Sequence, residues 1–92
     1  MHDSARIQLH LLRWLKTSRQ VAIFAVRRDT CAAFLVSRAF HVGARALGYV
    51  FTSSHIYLLS AATAAELSGW LRPLSQHIRS ISDNQTPFKA EI

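Results

Sequence analysis

Residues 4–26 read SARIQLHLLRWLKTSRQVAIFAV, and the order of elements along the chain turns on which part is helix and which is strand. In Ser4–Ser18, Ile7, Leu11, Trp14 and Leu15 recur at the three-to-four spacing of a buried helical stripe, with Arg6, His10, Arg13 and Thr17 on the opposite side. Asp3 or Ser4 supplies a cap for such a helix. Gln20–Val26 is short, apolar on both faces and contains Val, Ile, Phe and Val, the make-up of a central strand. Length alone leaves a short buried helix as the alternative. The expectation is a helix followed by a strand.

Working outward, Arg27-Arg28-Asp29-Thr30 is a polar break with two candidate caps, Asp29 and Thr30. Cys31–Leu47 is alanine-rich and reads as one helix, or as two if Gly43 divides it, and Gly48 is suited to end it. Tyr49–Ser60 reads as two short strands, YVFT and HIYLL, turning near Ser53-Ser54. Thr63-Ala64-Ala65-Glu66 is a capping box. It opens a helix with Leu67, Trp70, Leu71, Leu74, Ile78 and Ile81 on one side and Pro73 as a kink or restart. The fold class is α+β: a single small domain over 1–81, with a C-terminal tail at 82–92.

The order helix, strand, one or two helices, strand, strand, helix resembles that of a winged helix-turn-helix domain. The resemblance rests on topology over residues 4 to 81, with no family motif behind it. It implies that Thr30–Leu47 holds the helix-turn-helix and that the hairpin is the wing.

The chain has 92 residues, half of them hydrophobic and 17% charged, below the usual share for a soluble domain. Apolar surface left over for a partner, including a second copy, is therefore expected. Cys31 is the single cysteine, so no intrachain disulfide forms, and the cytoplasm is the expected compartment. Ala46–Ala65 carries no Asp, Glu, Lys or Arg, but Thr52, Ser53, Ser54 and His55 in its middle argue against a membrane span.

The formal charge of +6 lies entirely in the first half. Residues 1–45 carry eight Lys and Arg against two acids, and residues 46–92 carry three against three. A basic field of this size attracts polyanions. Arg38, His41 and Arg45 are expected on one helical face, with Lys16, Arg19, Arg27 and Arg28 as phosphate contacts beside a helix start. DNA is the expected partner ahead of RNA, and the chain reads first as a dimeric regulator of winged-helix type. Leu67, Trp70, Leu71, Leu74, Ile78 and Ile81 would then form the dimer or partner interface.

The alternative is a non-enzymatic interaction module or inhibitor that binds a larger protein through Trp14, Phe40, Tyr49, Phe51, Tyr57 and Trp70. A third reading lays the first helix on a membrane surface. Catalytic chemistry has little to stand on. The three glycines form no phosphate loop, and paired carboxylates are absent outside the chain ends and caps. One cysteine and five scattered histidines make no zinc pattern. Cys31 reads as a core residue before it reads as a nucleophile. No enzyme activity, metal or cofactor is expected.

Overall fold

A computed structural model describes residues 6–82. The expected caps Asp3 and Ser4 and the tail from Asp83 onward lie outside the described residues. The elements run β1 (Gln8–Leu15), α1 (Ser18–Val26), α2 (Arg28–His41), β2 (Arg45–Phe51), β3 (His55–Ala62) and α3 (Ala64–Arg79), followed by a 3-10 turn, Ser80–Ser82. The result is a small α+β domain with one three-stranded antiparallel sheet ordered β1-β3-β2.

The opening stretch folds in the reverse of the expected order. Gln8–Leu15 is a strand and Ser18–Val26 is a helix. Leucines on both faces of LHLLRWL satisfy a period of two as well as a helical stripe. What decides is β3, which pairs with β1 over eight residues from Gln8↔Ala62 to Leu15↔His55. In the same way QVAIFAV becomes helical because Thr17 and Gln20 close a capping box. The Thr17 hydroxyl accepts the Gln20 N–H at 3.1 Å, and Gln20 Oε1 accepts the Thr17 N–H at 3.0 Å. Gln20 is also buried, and its amide nitrogen donates to the Ile78 carbonyl at 2.8 Å. That one side chain caps α1 and ties it to the end of α3.

The stretch from Cys31 to Leu47 is likewise not all helix. α2 ends at His41, Gly43 turns the chain with φ of 88°, and Arg45 already belongs to β2. Only a residue without a side chain adopts that φ without strain. Helices α1 and α2 meet at the single residue Arg27. A helix-turn-helix needs a three- to four-residue turn, so this pair does not supply one. The uncharged run 46–65 is mostly the β2–β3 hairpin, and no described helix is long and apolar enough to cross a membrane.

The helices cover one face of the sheet. Ile56, Leu58, Ser60 and Ala62 alternate along β3 and are buried beneath them. Phe24, Leu35, Trp70, Leu74 and Ile78 pack onto that face. The stripe expected to serve as a dimer interface is thus consumed inside the chain. Trp70, Leu74, Ile78 and Ile81 are buried, and Leu67 and Leu71 are half-buried against the core. The capping box at Thr63 forms as the sequence indicates, and α3 continues through Pro73.

Two measurements check this account. Thr17→Ala, which removes the cap of α1, should cost about 1 kcal/mol in urea unfolding. The Ser60 hydroxyl is buried with no hydrogen-bond partner among the described residues. Ser60→Ala should therefore leave the midpoint unchanged or raise it.

Candidate functional site

The basic residues separate into three places. Lys16 follows β1, and Arg28 begins α2. The Lys16 ammonium lies 4.5 Å from the centroid of the Phe24 ring, and Lys16 and Arg28 lie 5.9 and 5.8 Å from that of Phe51. Lys16 Nζ donates to the Thr52 carbonyl at 2.6 Å. Burial holds its pKa below the ordinary lysine value, the buried Cys31 thiol opposes that shift, and the nearby Arg28 adds to it. Together with Val21 and Ala25 these residues line a cleft of about 270 Å³, with an apolar floor and a cationic rim. Arg19 lies in the first turn of α1 and Arg27 at the α1–α2 junction, both exposed.

Arg38 and His41 sit at the other end of α2, about 15–20 Å away along the 14-residue helix. Arg38 is half-buried, its guanidinium 5.3 Å from the centroid of the Phe34 ring. Nearby His77 has its pKa lowered, first by burial and then by the charges of Arg38 and His41. The exposed face of α2 carries Ala33, Val36, Ser37 and Phe40, the last 84% exposed. That is an apolar ridge, poorly matched to a DNA groove lined with phosphates.

Arg45 is on neither helix. It opens β2 and forms a two-pronged bridge to Glu66, Nη1 to Oε2 at 3.1 Å and Nη2 to Oε1. Glu66 also accepts the Thr63 N–H at 2.9 Å. The Arg45 guanidinium first, then the backbone of the cap, lowers the Glu66 pKa from 4.5 to about 2. The expected row Arg38, His41, Arg45 is therefore not a row, and one member is spent on an internal pair.

Sequence reasoning missed the outer face of the sheet. Alternation puts Leu9, Leu11, Arg13 and Leu15 of β1 on the side away from the helices, beside His55, Tyr57, Leu59 and Ala61 of β3 and Arg45, Gly48 and Val50 of β2. Leu9 and Leu11 are 67% exposed and Leu15 71%. Ile7, just before β1, and Leu47, the extra residue in a bulge of β2, are exposed as well. Of the aromatic residues expected to anchor a partner, Phe51 and Trp70 are buried and Trp14 is half-buried with its Nε1–H on Ser75 Oγ at 3.0 Å. Tyr57 is half-buried, while Phe40 and Tyr49 are exposed.

A second cavity, about 580 Å³, runs between β1 and α3 and is lined by His10, Ala64, Leu67, Ser68, Leu71, Arg72, Ser75 and Arg79. Among the described residues no three His, Cys, Asp or Glu side chains come together as a metal site.

The chain matches no protein-family model, no curated protein and no solved structure at a significant level.

The Arg45–Glu66 bridge yields a pH prediction. A carboxylate whose folded pKa lies below its unfolded value stabilises the fold above the unfolded pKa and loses that contribution as pH falls through the folded one. The melting-temperature difference between wild type and Arg45→Gln should be present at pH 7, shrink between 4.5 and about 2, and vanish below that. Both groups are exposed, so added salt should also shrink it.

Proposed function

We propose that the chain is a non-enzymatic protein-association module whose outer sheet face joins a second copy of itself. The carrying observation is the uncovered apolar face. Ile7, Leu9, Leu11, Leu15, Leu47 and Val50 are each more than half exposed. Together they present on the order of 600 Å² of apolar surface, at the upper end of what an ordinary monomer leaves in water.

A second copy is the occupant that the area fits. Two such faces remove roughly 1,200 Å² from water, where stable specific interfaces begin. Sheets pack face to face at about 10 Å, and Gly48 and Ala61 leave hollows beside the leucines for the partner's side chains to enter. Arg13 lies on the edge strand and is exposed, and a long side chain there can lay its stem along the leucines and keep its charge in water. The low share of charged residues agrees with a surface meant to be covered. The cytoplasm is the compartment we assign, on the single buried thiol.

A second reading keeps part of the nucleic-acid expectation. Lys16 and Arg28 converge on one cleft, and Arg27 lies between the helices beside it. A dimer would carry two such basic ends, each suited to a phosphate backbone and neither built as a winged helix.

The first reading is tested by light scattering on the eluting protein. The expected mass is twice 10.3 kDa, falling to the single value in Leu11→Glu with the circular dichroism unchanged. A wild-type monomer across the concentration range would overturn it. The second is tested by anisotropy of a labelled duplex at rising salt. Lys16→Ala with Arg28→Ala should weaken binding about tenfold or more, and a salt-independent affinity would remove nucleic acid from consideration.

A further inference from the structure

Among the described residues β1 has a strand partner on one side only. Lys16 N–H donates to the Ser54 carbonyl at 2.8 Å, in the same register that pairs Leu15 with His55. In an antiparallel ladder the residues that hydrogen-bond across a given pair alternate. The N–H and C=O groups of Trp14, Leu12, His10 and Gln8 therefore point to β3. Those of Leu9, Leu11, Arg13 and Leu15 point to the other side, where no described strand lies. An open edge of this length is a template for another extended chain.

Beside that edge runs the 580 Å³ groove under α3. The helix starts next to the Gln8 end of the sheet, directly after Ala62, and runs back along it until Trp14 meets Ser75. The groove is therefore apolar at one end, with Leu67 and Leu71, and basic at the other, with Arg72 and Arg79. Among the described residues no Asp or Glu lines it. Its length from Ala64 to Arg79 is about 22 Å, the span of six or seven extended residues.

We propose that this groove takes an extended acidic segment of a partner protein as a fourth strand on β1, with alternate side chains inserted between β1 and α3. Backbone groups of Leu9, Leu11, Arg13 and Leu15 supply the ladder, as in other cases of strand addition. The side chains supply the choice. Small apolar residues seat on Leu67 and Leu71, and carboxylates meet Arg72. In antiparallel addition the acids come first in the partner segment. The ladder uses the backbone edge of the strand whose side chains form the outer face, and Leu11→Glu, which is expected to break self-association, leaves the edge N–H groups in place and so tests the two separately.

The experiment is a nuclear magnetic resonance titration of the full chain with the blocked heptapeptide Glu-Thr-Glu-Thr-Val-Thr-Val, with hydrogen exchange read at each amide. Binding should slow exchange at Leu9, Leu11, Arg13 and Leu15 and leave the β2 edge unchanged. A version with lysine in place of glutamate should bind about tenfold more weakly, and the exposed substitution Arg72→Glu should narrow or reverse that preference. Arg13→Pro deletes one edge N–H without touching the β3 ladder, and should weaken binding several-fold. The proposal is overturned if the four amides exchange at the same rate with and without peptide. It is equally overturned if the lysine peptide binds as well, or if the amides are already protected by the chain's own residues before peptide is added.

Discussion

Among the described residues β3 is the one strand with hydrogen-bonded neighbours on both sides. Its inner residues, Ile56, Leu58, Ser60 and Ala62, form the floor on which the helical layer rests. Its eight residues fix the register of β1, and β1 in turn fixes where Lys16 and Thr17 begin α1. Among the described residues the helices cover one side of this sheet and none lies on the other. The exposed leucines of β1 follow from that arithmetic of layers more than from any local property of their own.

The same constraint governs the charges. Arg38 and Arg45 are seven positions apart, which on a continuous helix would place them on one side, two turns apart. The helix stops at His41, so Arg45 lands on a strand and finds Glu66. Arg38 stays on α2 but lies against Phe34 with its guanidinium near His77. Of the basic residues the sequence offers as phosphate contacts, Lys16 and Arg28 come together where β1, α1 and α2 meet, because they share the Phe51 ring. An excess of positive charge in sequence does not by itself make a positive surface.

What was legible in the sequence was written in local chemistry. The Thr63–Glu66 box starts α3 where its residues say it should, and the β2–β3 hairpin turns at Ser53-Ser54 despite lacking the usual turn glycine. The Thr17-Ser18-Arg19-Gln20 signal is of the same kind and marks α1 equally well, but it is passed over when Thr17 is read into the polar side of a preceding helix and QVAIFAV as a strand. β1 was illegible for a different reason. LHLLRWL satisfies two periods, and the choice between them is made by a partner more than 39 residues away. The edge groove and the outer face inherit that ambiguity, since neither exists until β1 is known to be a strand.

The distance between β1 and its partner also has a consequence for biosynthesis. β1 leaves the ribosome before its partner, apolar on both sides, and the residues that pair with it span His55 to Ala62. Until they emerge, Leu9, Leu11, Leu12 and Trp14 have neither a sheet nor a helical layer to shelter them. Contacts this remote in the chain close late and slowly. During that interval the nascent chain exposes an apolar segment of the kind that favours premature association.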